Sequence, residues 1–519
     1  MTRDIPEVRL LEVLANTKLI LTNPLAFHAK FYDKVGDTFI INASLGKRFL
    51  ITRDAGLGRY VLQKNHRNYK KSTIQTEDLG KYVGKGLLTS NGEHWLKHRR
   101  MIQPGFSKKQ LMGLLDVMDQ AIIDEIKYIN EGVESDVIGF LSDLTFQVVA
   151  KSLFSNGDIR DKMKRLQQIT IETQVMLVKE LRQPYLTWWF RLNGSLTYSL
   201  DKAKEARSIV RSIIVERKNS NQKSDDLLDM LLSSKYKDGS AMSEQQLIDE
   251  VLILFTAGHE TTTNVLGTTL YHLATDQDLQ EKIYQESRLL ESGLVSKMQI
   301  FDLFPLTQSC IKEAMRLYPP VYMIDRVAIE DDTYEGLHIP SGTTVLISMY
   351  EIHRDQRFWS EGYTYKADRF LKLESSQSDG RYYPFGAGPR MCVGNHFAMY
   401  EMLSAIARIV NQYKLSTSMS SLQMKPMISY KPAALNIKFE NLCMTKFGTF
   451  IGKLAGNNHR TFNCILSKRI SHDNFYRLDL FRPDIFTIKF FPNVDDQVLF
   501  CFRLPHLHSI MNYKLRIAN

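Results

Sequence analysis

The segment Phe385-Gly386-Ala387-Gly388-Pro389-Arg390-Met391-Cys392-Val393-Gly394 places one cysteine in a glycine-rich loop, directly ahead of a strong helical pattern over 395–413. A thiolate at 392 would point at the start of that helix. There the free N–H groups and the helix dipole favour negative charge. Glycines let a backbone approach a flat ligand closely. N–H groups aimed at the sulfur would tune whatever metal it binds. Arg390 can reach a carboxylate on the same ligand. Taken alone, a lone cysteine is more often a buried apolar filler, and a Gly-Pro loop is more often an ordinary turn.

A second candidate is Ala257-Gly258-His259-Glu260-Thr261-Thr262, inside a helical pattern over 247–273. Small residues at 257 and 258 leave room for a flat ligand beside the helix. The Thr261 hydroxyl can bond the carbonyl four residues back and open the helix locally. Glu260 is then a candidate proton supplier. A zinc motif HExxH fails, because residue 263 is threonine. A threonine-rich core helix explains the segment equally well by itself. Glu313 and Arg316 share one helix face, and Pro319-Pro320 stop that helix. Trp95 and Arg99 lie one turn apart on a basic helix start, where indole N–H and guanidinium can share a carboxylate.

These residues must be positioned by elements that the periodicity predicts. Helices are expected over 111–128, 136–154, 247–273, 279–291 and 395–413, after a helical lead-in over 1–35. Strands are expected over 38–43 and 48–52 around a turn at 44–47, with more over 328–350 and 414–440. Residues 218–226 read as a polar surface loop, and 372–391 as a long Gly/Pro-containing loop. The fold class is mainly α with a small β region.

Composition narrows the class. Of 519 residues, 44% are apolar and 24% charged, which is ordinary globular usage. Apolar runs such as 251–257 fall well short of the ~20 residues that span a membrane. Arg9, Glu12 and Lys18 interrupt the N-terminus, so neither a signal nor an anchor is expected. The five cysteines are odd in number and form no CxxC pair. A reducing compartment follows, and a zinc ribbon does not. The net charge is +10, but residues 445–519 alone hold eleven Lys and Arg against five Asp. A basic nucleic-acid-binding body is therefore unsupported. From 441 onward there is no Glu and only two Ala. We divide the chain into 1–440 and an atypical extension, 441–519. The extension reads equally as a β-rich appendage, with strands at 485–491 and 498–502, or as a non-functional addition.

The cysteine segment matches Phe-x-x-Gly-x-Arg-x-Cys-x-Gly at Phe385, Gly388, Arg390, Cys392 and Gly394. It resembles the haem-binding signature of the cytochrome P450 family, and the resemblance extends over about 20–440 with its motifs in order. It implies the cytochrome P450 fold, with haem b between the Glu260 helix and the Cys392 loop. Cys392 would be the proximal thiolate ligand of iron, which favours O–O cleavage. The resemblance assigns oxygen activation to Glu260 and Thr261. It places Trp95 and Arg99 on one haem propionate and Arg326 on the second, with Phe385, Arg390 and Gly394 in the cofactor loop. Glu313, Arg316 and Arg369 would form a structural network, and His353 a structural contact. Ala367 departs from the family's usual proline, implying a slightly looser turn.

The implied activity is a haem-thiolate monooxygenase that takes O2 and two external electrons to hydroxylate a lipophilic substrate. Residues 257–262, 318–320 and 397–401 resemble bacterial relatives acting on fatty acids or carotenoid-like terpenoids. Lys70, Tyr82, Met176, Tyr322 and Met323 are the expected substrate lining. The 79 residues after 440 are too few for a reductase domain and lack iron–sulfur spacing. A separate ferredoxin or flavodoxin with an NAD(P)H-dependent reductase is expected. Lys97, Arg100, Lys108 and Lys109 form either its docking site or a plain solvated face. The alternatives are a peroxide-driven peroxygenase, against which the acid–threonine pair argues, and a non-catalytic haem sensor or binding protein. The chain is expected to be a soluble, bacterial-type monomer without a transmembrane anchor, located in the cytoplasm, where peripheral association with a membrane is compatible with it.

Overall fold

The computed structural model describes residues 5–42, 48–155, 160–220, 224, 226–290, 299–371 and 380–442, with the backbone of five strands beyond 463. Two compact units are present, Met1–Thr445 and Lys446–Asn519.

The first unit is mainly helical. Its principal helices are α1 (Gly92–Ile102), α2 (Lys108–Ile126), α3 (Ile138–Leu153), α4 (Arg160–Arg182), α5 (Thr187–Leu192), α6 (Ser195–Asn219), α7 (Glu244–Thr275), α8 (Gln277–Ser287), α9 (Pro305–Leu317) and α10 (Asn395–Gln412). Helix α7 is apolar nearly all round, with Val251, Phe255, Val265, Leu266 and Leu270 all buried, as a central core helix must be. Helices α3, α6, α9 and α10 pack against it. It starts three residues before the predicted 247 because Ser243 caps it, accepting from the Gln246 N–H at 3.2 Å.

A six-stranded sheet flanks the helices. Its strands are β1 (Glu7–Val8), β2 (Thr38–Asn42), β3 (Arg48–Thr52), β4 (Tyr69–Lys70), β5 (Met323–Ala328) and β6 (Thr344–Ser348), in the order β1-β2-β3-β6-β5-β4. β2 and β3 pair antiparallel, with Ile40 opposite Leu50. β3 and β6 pair parallel, with Leu50 opposite Val345. The predicted turn at 44–47 lies outside the described residues, as does part of the 372–391 loop. A separate hairpin joins β7 (Met424–Pro426) and β8 (Tyr430–Pro432). The 1–35 lead-in forms β1 and three short helices that end at Val35.

One expectation needs correction. Residues 218–226 are not simply a surface loop, because α6 runs to Asn219 and Asp226 is buried. The Asp226 carboxylate pairs with Arg217 at 2.8 Å and accepts from the Asp229 N–H at 2.9 Å, capping a short helix, Leu227–Ser233. Polar composition suggested solvent, whereas the charge is met by a partner from the preceding helix. Residues 221–223 and 225 lie outside the described residues.

The second unit is an antiparallel meander of Cys464–Ser467, Arg477–Leu480, Thr487–Pro492, Gln497–Phe502 and Met511–Arg516. The third and fourth strands fall where 485–491 and 498–502 were expected. Among the described residues, no helix is long and apolar enough to cross a membrane.

Candidate active site

The cysteine loop is a sequence of tight turns. The Gly386 N–H donates to the Tyr383 carbonyl at 2.9 Å, Met391 N–H to Gly388 at 3.0 Å, and Cys392 N–H to Phe385 at 2.9 Å. Gly388 sits at φ +68°, and a Cβ there would lie 2.0 Å from the Leu62 carbonyl oxygen. Only glycine permits both the angle and that approach. Gly394 then caps α10, with its carbonyl accepting from Ala398 at 2.9 Å.

Cys392 retains open surface although protein surrounds it, so its thiol faces a space inside the fold. Burial pushes that thiol above its usual range, while the Gly394 N–H and the Arg99 charge pull it towards thiolate. The helix start thus opposes the desolvation without outweighing it. A metal ion binding there displaces the proton.

Helix α7 opens on one stripe only. Ala257 is exposed and Thr261 half-buried, within a helix otherwise largely sealed. Thr261 Oγ1 donates to the Ala257 carbonyl at 3.0 Å, so the hydroxyl leans back along the open stripe. The expectation that Gly258 also makes room for a ligand is corrected. A Cβ on Gly258 would lie 3.1 Å from Val149 Cγ2, so its bareness serves the close packing of α7 on α3. Glu260 does not share that stripe; its Oε1 pairs with Lys431 Nζ of β8 at 3.1 Å.

Four cations gather near the cysteine loop. Arg326 is buried, and its Nη1 donates to the Asp325 carbonyl at 2.7 Å. Arg390 donates to the Ser90 carbonyl at 3.1 Å and to Asn91 Oδ1 at 3.2 Å, with its guanidinium 4.2 Å from the Trp95 ring centre. Arg99 Nη1 donates to the Met391 carbonyl at 2.8 Å and its Nε to Gln103. Trp95 and Arg99 therefore lie on one helix, but Arg99 reaches the cysteine loop and Trp95 underlies Arg390.

The fourth cation is Lys71, which the sequence reading missed in favour of its neighbour. Lys70 is exposed at the sheet edge, whereas Lys71 is buried. The alternation Tyr69 inward, Lys70 outward, Lys71 inward is the signal that could have found it. The Lys71 ammonium donates to the Leu87 and Leu88 carbonyls. Burial and the Arg326 and Arg390 charges push it well below its usual range. Burial likewise lowers Arg326, and Arg390 to about 10.

Lys71, Arg326 and Arg390 all hydrogen-bond neutral oxygens. The nearby carboxylate, Asp325, is engaged by the Ser72 N–H at 3.2 Å and Gln75 Nε2 at 2.6 Å. Two buried cations, Lys71 and Arg326, with the half-buried Arg390 beside them, call for anions. The donor set fits a flat ligand that carries carboxylates at its edge and a metal facing the cysteine.

Below the site, Glu313 accepts from Arg316 through both oxygens at 2.8 Å and from Arg369 Nε at 3.0 Å, with Glu313 and Arg316 fully buried. Arg316 also holds the His353 carbonyl at 2.7 Å and Gly362 at 2.6 Å. Ala367 sits in that corner, packed against the main apolar core.

An apolar cleft is bounded by Leu79, Tyr82, Ile169, Leu177, Leu252 and Thr256, the last a sequence neighbour of Ala257 on α7. Tyr82 lies on that wall. Met176 packs in the same cluster, and the Tyr322 hydroxyl donates to the Met427 carbonyl at 2.8 Å.

The cytochrome P450 family profile matches residues 6–441. A putative cytochrome P450 132 from Mycobacterium tuberculosis is 29% identical over 391 residues, covering 71% of this chain and 82% of that protein. An echinocystic acid 23-monooxygenase from Saponaria officinalis is 27% identical over 418 residues, covering 75% and 79%. A cytokinin hydroxylase from Arabidopsis thaliana is 28% identical over 411 residues, covering 77% and 79%. With an open cysteine thiol, a cluster of sunken cations around it and a matching profile over most of its length, the chain belongs to the cytochrome P450 family of haem-thiolate monooxygenases, which take O2 as co-substrate.

Proposed function

We propose that this monooxygenase hydroxylates a lipophilic small molecule, with fatty acids and terpenoids as the favoured classes. The balance is substrate RH, O2, two electrons and two protons giving ROH and water. Bound haem supplies oxygen activation and attack on an unactivated C–H bond. The protein supplies the rest. When haem is bound, Cys392 would ligate its iron through sulfur and Lys71, Arg326 and Arg390 would hold its propionates, with Arg99 against the cysteine loop. The stripe from Ala257 to Thr261 walls the oxygen side, Thr261 orients a proton at its hydroxyl, and Glu260 supplies protons from outside. Apolar walls at Tyr82, Leu177 and Leu252 receive substrate and exclude water. The observation that carries this reading is a set of buried and half-buried cations, Lys71, Arg326 and Arg390, bonded to neutral oxygens beside an open thiol.

The deciding experiment is the spectrum of the reduced, carbon-monoxide-bound protein, for the wild type and Cys392→Ser. A strongly red-shifted Soret band that the substitution abolishes supports the assignment. A histidine-type band, or no haem, overturns it.

The electron donor is a separate ferredoxin or flavodoxin with its reductase. Lys97, Arg100, Lys108 and Lys109 are all exposed, a surface suited to an acidic partner. Charge reversal there with an unchanged reduction rate rejects that docking site. The enzyme acts as a monomer in the cytoplasm, at the periphery of a membrane. Tyr185, Trp188, Trp189 and Leu192 stand exposed together around α5, the residue types that settle at lipid headgroups. Loss of vesicle binding in Trp188→Ser/Trp189→Ser supports the location, and absence of vesicle binding by the wild type overturns it.

A further inference from the structure

We propose that the charged cleft at the carboxyl ends of β3 and β6 is a second ligand site, taking a small zwitterion of the α-amino-acid class between Glu351 and Arg354. The cleft encloses about 320 Å³, and its walls include Asp37, Arg53, Glu351, Arg354, Arg357 and Tyr363. At ~30 Å³ per water that is room for about ten waters, enough for an amino acid with its side chain. None of these residues is among the cations around Cys392 or on the wall of the apolar cleft. Asp37 precedes β2, Arg53 follows β3, and the others follow β6, on and after a short helix, Met349–Ile352. β3 and β6 run parallel, so their last residues open on one end of the sheet. That is the end at which parallel strands of open α/β sheets hold their ligands.

Most of the charge in the cleft is already engaged. Asp37 meets Arg53 Nε at 2.8 Å and Arg357 Nη1 at 2.6 Å. Arg357 Nε donates to both oxygens of Asp355 at 2.9 Å. What remains is one carboxylate and one guanidinium. Glu351 is 7% exposed, and among the described residues its carboxylate faces only Arg53, at 3.6 Å, beyond hydrogen-bond length. Arg354 is 5% exposed. Its Nη1 donates to the Tyr350 carbonyl at 3.0 Å, and its guanidinium lies 3.6 Å from the Tyr350 ring centre. Among the described residues no carboxylate forms an ion pair with it.

The two residues sit on one turn, with the Arg354 N–H donating to the Glu351 carbonyl at 3.0 Å. Side chains so spaced can pair, but Arg354 turns back over Tyr350 instead. Burial pushes the Glu351 carboxyl above its usual range and the Arg354 guanidinium below its own. Each charge loses more to desolvation than its neighbours return. A lone anion in the cleft would meet Arg354 but be repelled by Glu351, and a lone cation would meet the reverse. A molecule carrying both charges compensates both. Its ammonium donates to Glu351, and its carboxylate accepts the N–H groups of Arg354 that Tyr350 leaves over. Tyr363 is 65% exposed and lies within the electrostatic reach of Glu351 and Arg354. Its ring offers an apolar face to the ligand's side chain.

The test is saturation-transfer NMR on the full-length haem protein. The probes are alanine and phenylalanine, with propionate and ethylammonium, each of which keeps one of alanine's two charges. Both amino acids should give saturable signals, phenylalanine the tighter, and each single-charge probe should bind at least about tenfold more weakly than alanine. Glu351→Gln and Arg354→Lys should each weaken alanine about tenfold, the loss of one hydrogen bond to a charged group. Tyr363→Ala should bring phenylalanine down to the alanine value and leave alanine unchanged. That side chain stands at the surface, so its variant decides the matter where the two buried substitutions fail to fold. Propionate as tight as alanine would make the cleft a plain anion site, and ethylammonium as tight a plain cation site. Either result overturns the assignment. So does the absence of a saturable alanine signal, alanine binding indifferent to both Glu351→Gln and Arg354→Lys, or phenylalanine binding indifferent to Tyr363→Ala.

Discussion

The backbone N–H of Tyr383 donates to Nε2 of His353 at 3.3 Å. The carbonyl of His353 accepts from Arg316, and the carbonyl of Tyr383 accepts from Gly386 at the first turn of the cysteine loop. One imidazole therefore joins the buried Glu313–Arg316–Arg369 network to the loop that carries Cys392. Its ring must be neutral with Nε2 unprotonated, and burial holds it so by lowering its pKa to about 3. His353→Phe keeps the volume but leaves the Tyr383 N–H unpaired, a cost of about 1–3 kcal/mol. We expect a lower Tm and faster haem transfer to a scavenging globin. Haem retention equal to wild type would show that the loop is held without this link.

Lys71 gives a prediction in which stability and cofactor binding move in opposite directions. Its ammonium is buried among Arg326, Arg390 and Arg99, with Asp325 as a countercharge. Lys71→Met removes a repelled cation, so haem-free protein should melt higher. The same change should weaken haem binding about tenfold, which is about 1.4 kcal/mol. Arg326→Gln and Arg390→Gln should weaken haem binding further, through loss of directed hydrogen bonds. Melting curves of the haem-free variants and haem titrations check both arms. A Lys71→Met protein that melts lower and binds haem normally would make Lys71 a structural residue.

What was legible in the sequence divides by the range of the forces involved. Helix α10 and the Cys392 turns were visible because their cause is local: glycines, a proline and an apolar period within a few residues. Strand β3 was likewise placed at its observed bounds, Arg48–Thr52. Lys71 and Lys431 were not visible, since each is defined by groups distant in sequence. Lys431 lies 171 residues from Glu260, and no spacing rule links a hairpin to a helix over that separation. Gly258 shows the same limit from the other side. The sequence marked it as small but could not say whether the missing side chain made room for a ligand or for Val149.

The Gly258–Val149 contact makes that last point testable. A Cβ at 258 would meet Val149 Cγ2 at 3.1 Å and Cγ1 at 3.6 Å, slightly closer than ordinary contact. Gly258→Ala gains about 1 kcal/mol of helix propensity and loses about 1–3 kcal/mol to overpacking. A small net loss of stability is expected. Val149→Ala beside it should relieve the crowding, so the double variant should be more stable than the two single changes predict. Substrate affinity should not change, because the new methyl points at α3. A KM change in Gly258→Ala would return that residue to the ligand side.

Acid should destabilise this protein earlier than carboxylates alone would dictate. Burial lowers His28 and His272 to about 4 and His353 to about 3. In the unfolded chain all three titrate near ~6.5. Between those values the unfolded state binds protons that the folded state refuses, so stability falls as pH drops below about 6.5. At pH 5 each such histidine costs about 2 kcal/mol, whereas above about pH 7 the three contribute no slope. Asp124 and Glu205, held at about 2 by their lysine and arginine partners, add their loss only at lower pH. His272 offers the cleanest probe, because it stacks on Tyr365 at 3.7 Å between ring centres and its Nε2 is unpaired. His272→Phe keeps the stack and removes the titration. Urea unfolding at pH 7 and pH 5 should show a difference smaller by about 2 kcal/mol in the variant than in the wild type. An unchanged difference would mean that His272 gains its proton in the folded state as readily as in the unfolded one.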